Sequence, residues 1–242
     1  MAMDKKWKQR LVWLAVVLVV IALRVAWVLY DRNQPARVRP TPQRILDKDY
    51  LVVVPKFHVD DLESAKKLIG KRLWVKAGYQ ASYFPWPLSA RAGLSKPAIF
   101  FEPMETFVVE DVKERPLSPG SLDREALFLF KKNDGSYAIV VGFYLEKDQQ
   151  YQMELDELFF SKNPTELYSH WSPQAWERVK AHQLEKGMSF AQASLSIGSG
   201  QLIMTGAGGA QVYEFSRKPG GMPGKTRVRF VEGKVEEIEV RE

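Results

Sequence analysis

Residues 126–144 read ALFLFKKNDGSYAIVVGFY, two β-rich runs about the tripeptide Asn133-Asp134-Gly135. Aromatic and branched side chains dominate both runs, and such residues fit a pleated, half-buried surface. Glycine accepts the positive φ of a tight turn, so the tripeptide predicts a hairpin. Working outward, Thr106–Val112 and Tyr151–Leu155 predict further short strands, and Leu73–Val75 begins another. Several short antiparallel strands with such turns predict a small β-barrel over 49–162, of SH3-like form.

Before this region, Tyr50–Pro55 (YLVVVP) reads as a strand. Asp60 has the side chain of a helix N-cap, with Glu63 three residues on as its capping-box partner. Leu62, Ala65, Leu68 and Ile69 then share a helical face, and Gly70 supplies the stop. Tyr79–Ile99 is irregular and rich in aromatics and proline. Within it Tyr79, Tyr83, Phe84 and Trp86 either fold onto the barrel or form a contact surface for another protein. They are the candidate partner-binding residues.

At the N-terminus, Leu11–Tyr30 (LVWLAVVLVVIALRVAWVLY) is apolar except for Arg24. A helix of that length covers roughly 30 Å, the thickness of a bilayer's hydrocarbon core. Arg24 would cost about 2.5–3.5 kcal/mol at the centre of such a span, less if it snorkels towards the headgroups. The residue pattern at Ala26 is a poor cleavage site, which favours a retained signal-anchor over a removed signal peptide. The expectation is a single-pass inner (plasma) membrane protein. Residues 1–10 form a basic cytoplasmic tail, 11–30 the transmembrane helix and bilayer partner, and 31–48 a Pro/Arg-rich linker. The folded part would be periplasmic.

The chain has a formal net charge of +6 and no cysteine, which removes disulfides and thiolate chemistry. Residues 1–48 hold ten Lys/Arg against three Asp/Glu, leaving 25 against 26 for the rest. A nucleic-acid partner wants a basic folded surface, and this balance gives no support for one.

From Asn163 the character changes. Ser172-Pro173 opens a helix carrying Trp176 and Val179, which Lys186-Gly187 ends. Ser189 caps a second helix, Phe190–Leu195, stopping near Gly198. A Gly-rich loop follows, and then three strands: Gln211–Ser216, Thr226–Val231 and Lys234–Val240.

The run Leu184-Glu185-Lys186-Gly187-Met188-Ser189, with Gln192-Ala193 and Ile197-Gly198, resembles the SmpA/OmlA (BamE-like) module. Tyr213-Glu214-Phe215 and Phe230-Val231-Glu232-Gly233-Lys234-Val235 match that family's later strands, so the likeness covers about 171–240. Ile197-Gly198-Ser199-Gly200 lacks the proline of the family's Leu-Gly-x-Pro. The resemblance implies an α-α-β-β-β fold over 163–242, a bacterial cell-envelope setting and a protein-binding role in envelope assembly.

Catalytic, cofactor and metal residues are not expected. Residues 219–226 (PGGMPGKT) come close to a phosphate-binding loop, but Thr226–Phe230 alternates like a strand where that loop needs a helix. His58 with Asp60 and Asp61 reads as a helix start, and His170 and His182 lack a nucleophile partner. Lys225, Arg227 and Arg229 face Glu237 and Glu239 across a predicted strand pair, so cross-strand pairing accounts for them. The fold class expected is thus α+β: a transmembrane helix, a β-barrel and a C-terminal SmpA/OmlA-like domain. The function expected is protein binding or scaffolding, not catalysis. The alternatives are cell-wall (peptidoglycan) binding through the SH3-like domain and an envelope hydrolase.

Overall fold

The hairpin at Asn133 forms, with Asn133 itself at φ 51°, and it sits in a sheet of six strands. The computed structural model describes residues 13, 18–30, 48–87 and 98–241. The chain divides into two units, Met1–Ile45 and Leu46–Glu242.

In the first unit, Trp13 and residues 18–30 (α1) are helical, while 1–12, 14–17 and the linker 31–47 fall outside the described residues. Among the described residues no helix is long and apolar enough to cross a membrane. The transmembrane helix at 11–30, the single-pass signal-anchor and the inner-membrane, periplasmic localisation expected from it are corrected accordingly.

The second unit begins with a 3-10 turn, Lys48–Leu51, where a strand was expected at Tyr50–Pro55. Next come α2 (Leu62–Lys66), β1 (Arg72–Val75), β2 (Ser82–Pro85) and β3 (Ile99–Phe100). The cap of α2 is Asp61 rather than Asp60. Ser64 N–H donates to Asp61 Oδ1 at 2.7 Å, and the Ser64 hydroxyl accepts from Asp61 N–H at 3.1 Å. This reciprocal pair leaves Glu63 free to bind Lys66 at 2.6 Å.

The single strand expected over Thr106–Val112 is two, β4 (Thr106–Val108) and β5 (Asp111–Pro116), and they belong to different sheets. At the corner between them, Val109 exchanges backbone hydrogen bonds with Gly70 and Lys71 while Glu110 N–H donates to Leu129. Then follow β6 (Arg124–Lys132), β7 (Gly135–Leu145), β8 (Gln150–Met153), α3 (Leu155–Leu158) and β9 (Phe159–Phe160). The six-stranded sheet runs β3-β2-β7-β6-β5, with β8 also on β7; the smaller sheet is β4-β1-β9. Because β4 leaves to pair with β1, the strands form open sheets. The described residues contain no closed barrel, which corrects the SH3-like expectation.

Sheet β4-β1-β9 is a wall between two cores. Side chains alternate across a strand, so in β9 Phe159 enters one core and Phe160 the other. Its partner β1 does the same, with Leu73 and Val75 on the first side and Trp74 on the second. The first core is ring-packed: Phe101 lies 5.4 Å from Phe107 and 5.3 Å from Phe130.

The second core lies under the remaining elements, α4 (Pro164–Leu167), α5 (Pro173–Lys180), α6 (Phe190–Ile197), β10 (Gly200–Thr205), β11 (Gln211–Arg217), β12 (Pro223–Val231) and β13 (Lys234–Arg241). Ser172 and Ser189 cap α5 and α6 by accepting from the amides of Ala175 and Gln192. The helix α5 ends at Lys180, before Lys186-Gly187. Trp176, Phe215 and Phe230 are buried against these helices. The sheet has four strands in the order β10-β11-β12-β13, one more than the α-α-β-β-β expectation, because part of the Gly-rich loop is the strand β10. The α+β expectation with its barrel thus gives way to three antiparallel sheets carrying few helices.

Candidate functional site

The four aromatic candidates do not form one surface. Tyr83 is buried, its ring 4.4 Å from Phe101 and edge-on to Tyr137 at 5.2 Å, and its hydroxyl accepts from Lys132 Nζ at 2.8 Å. Strand alternation turns Phe84 the other way, under the Arg115 guanidinium at 4.7 Å. Trp86 is half-buried, its backbone N–H donating to the Ser136 carbonyl at 2.8 Å, and 88–97 lie outside the described residues. Tyr79 sits elsewhere, with Arg217 4.8 Å over its ring and His182 at 6.1 Å. Burial pushes the Tyr79 phenol up, helped by Glu102 and opposed by Arg217.

Two further places bring functional groups together. The first centres on Asp49. Its Oδ1 lies 2.6 Å from both His170 Nε2 and Trp171 Nε1, and its Oδ2 accepts from the Ser189 hydroxyl. A serine, a histidine and an aspartate therefore meet, a combination hidden by more than a hundred residues of separation. Their order is wrong for acyl transfer, which needs the imidazole between hydroxyl and carboxylate to take the proton. Here the carboxylate is in the middle. Ser189 Oγ also accepts from Gln192 N–H at 3.2 Å, so it works as a helix cap. The cluster ties the 3-10 turn to the start of α6. Beside it a cavity of about 410 Å³ is lined by Tyr50, Phe190, Tyr213 and Phe230.

The second place is the edge of the C-terminal sheet. Strand β10 (GQLIMT) is uncharged, and Leu202, Ile203 and Met204 are 46%, 44% and 58% exposed. It bonds β11 along one side, with a register shift between Leu202 and Met204. Along its other side no backbone hydrogen bond joins it to the described residues. Leu202 pairs with Tyr213 on the helix-covered face, and Met204 pairs with Val212 on the open face. That open face holds a groove of about 690 Å³ between Ile203, Met204 and Val212 on one flank and Arg227 and Glu239 on the other.

Next to the groove, Glu214 binds Lys225 at 2.7 Å and Arg227 at 3.1 Å. The Lys225 ammonium, and after it the Arg227 guanidinium, hold the Glu214 carboxyl below the usual carboxylate range. Arg229 reaches Glu236 at 3.3 Å. In the register Arg227 lies across from Glu239 and Arg229 from Glu237, as expected, while the close ion pairs of these two arginines go to Glu214 and Glu236. Glycines on both sides made β10 read as a loop; the Leu-Ile-Met run was the signal that could have found it.

Among the described residues no group of His, Asp and Glu could hold a metal ion. Pro219–Gly221 is a 3-10 turn leading into the strand β12, so the phosphate-loop likeness lacks its helix.

No family model, curated protein or solved structure matches this chain. The likeness of 171–240 to the SmpA/OmlA module therefore rests on the residues quoted for it.

Proposed function

We propose that this chain is a protein-binding module that takes an extended polypeptide segment along β10 by strand addition. The observation that carries the reading is the uncharged edge of β10, unpaired among the described residues, with three apolar side chains exposed. Sheet edges are templates for pairing, and folded proteins ordinarily blunt them with charge, proline or a covering element. A segment laid there gains main-chain hydrogen bonds, and its alternate side chains reach the Leu202 face and the Met204 groove. The SmpA/OmlA likeness, in which protein binding is the expected role, agrees with this reading. Cell-wall binding was tied to an SH3-like barrel and is not carried further.

The test is photo-crosslinking in cells, with the reactive side chain placed at Met204 or, as a control, at Glu236 on β13. Discrete adducts from position 204 and none from 236 are expected. Equal yields from both, or none from 204, would remove the proposal.

A further inference from the structure

The four-stranded sheet has two edges, and they are built differently. On β13, Val235 N–H donates to the Met188 carbonyl at 2.8 Å and its own carbonyl accepts from Gly187 N–H at 2.8 Å, so the start of that edge is already covered. The rest carries Glu236, Glu237, Glu239 and Arg241. Strand β10 carries no charge, and among the described residues no backbone covers its outer edge. One edge is covered and charged; the other, among the described residues, has only the register shift at Leu202–Met204 to interrupt it.

We infer that the segment β10 accepts is β10 of a second copy of this chain, paired antiparallel about a two-fold axis. The inference rests on the strand-addition reading above. Three features of the molecule favour a copy over a foreign strand. The first is charge: with no ionisable side chain on β10, self-pairing sets no like charges opposite one another. Pairing β10 with the β13 edge of another copy would set an apolar strand against a row of carboxylates.

The second is cover. Phe190 of α6 packs on Tyr213 at 4.5 Å and on Phe230 at 5.6 Å, so the helix layer lies over β11 and β12. Leu202, one strand further out, is left 46% exposed on that same face. A two-fold brings the same uncovered shelf from the other copy to the same joint, where each shields the other. On the open face it joins the two Ile203–Met204 patches in the same way.

The third is closure. Isologous pairing consumes both uncharged edges at once and leaves an eight-stranded sheet bounded by β13 at each end, about twice the four strands of one copy. Growth stops at two. A foreign strand, by contrast, would bring a new edge of its own.

The experiment uses the full chain, whose mass is 27.7 kDa. Sedimentation velocity over a range of concentrations should show a species of twice that mass. Ile203→Lys sets two ammonium groups across the joint and should raise the dimer Kd at least about 100-fold, while far-UV circular dichroism stays unchanged. Because the chain has no cysteine, Ile203→Cys can form a disulfide only with itself; mild oxidation should give a covalent dimer that Glu236→Cys does not give. A dimer indifferent to Ile203→Lys, such as one held by the apolar N-terminal residues, overturns the inference. So does a monomer at every concentration. If that monomer still gives crosslinks from position 204 to a different protein in cells, strand addition stands and self-pairing alone fails. If position 204 gives no crosslinks at all, both fall.

Discussion

Strands β6 and β10 make an instructive pair. Both carry apolar runs, Ala-Leu-Phe-Leu-Phe in one and Leu-Ile-Met in the other. In β6, Ala126, Leu127, Phe128 and Phe130 are all fully buried. In β10 every apolar residue is exposed. The difference is place, since β6 lies between β5 and β7 whereas β10 ends its sheet. An apolar run reports an affinity for cover; whether cover comes from the same chain depends on what the fold sets beside it.

The largest effect expected from this contrast is at Phe130, which touches Phe101, Phe107, Tyr83 and Tyr137. Phe130→Ala should cost about 3–5 kcal/mol in urea denaturation, through lost transfer energy and the cavity left behind. A loss below about 1 kcal/mol would mean that the interior position of β6 confers no special packing.

Next is Asp49→Ala. It removes the acceptor for the Trp171 indole and the Ser189 hydroxyl, and buried donors without partners are costly. A loss of about 2–4 kcal/mol is expected, with the cavity beside Tyr50 opening to solvent. Hydrogen exchange at the start of α6 should rise; protection unchanged from the parent protein would show that the turn 48–51 is not fastened there.

A smaller effect is expected at Tyr151, which donates its hydroxyl to Glu114. Burial first, and then the Glu114 carboxylate, push its phenol up to about 12 from an ordinary 10.0. A folded-state value above the unfolded one means that this contribution is whole below pH 10.0. It is lost as the pH climbs towards 12. Absorbance titration at alkaline pH should show a late-titrating tyrosine in the parent protein that is lost in Tyr151→Phe. If every tyrosine titrates together near 10, the contact between β8 and β5 is not made.

Glu214 works in the opposite sense. Its depressed pKa contributes stability above the ordinary carboxylate value of 4.5, lost as the pH falls through the folded value. Glu214→Gln should remove that contribution at neutral pH, a small loss because ion pairs at the surface are screened, and change little once the pH is below the folded value, so that the acid limb flattens.

The smallest change belongs to Met204→Ala on the other side of the comparison. At low concentration, where a copy is not bound, an exposed side chain carries little folding energy, so the shift should stay within about 0.5 kcal/mol. A loss near that of Phe130→Ala would show that β10 has cover within one chain.

What the residues determined by themselves is local. Ser172 and Ser189 cap their helices because a hydroxyl reaches an unbonded amide within three residues. Asn133-Asp134 turns the chain with Asn133 at positive φ, a conformation asparagine tolerates, while Gly135, expected to supply it, already begins β7. Strands β6, β7, β12 and β13 follow from side chains that favour a pleated surface. The cap of α2 was misplaced by one residue, since Asp60 and Asp61 are equally able in sequence and the Ser64 hydroxyl chooses between them. The rest was decided in three dimensions. The break between β4 and β5 depends on which neighbour each half pairs with, and that break is what opens the expected barrel. The division of Phe159 and Phe160 between two cores depends on sheet β4-β1-β9 standing between them. Asp49 meets His170, Trp171 and Ser189 only because the chain folds back over more than a hundred residues. The Leu-Ile-Met run became an open edge for the same reason: hydrogen bonds across a sheet join residues far apart in sequence, so no local pattern says which strand will be last.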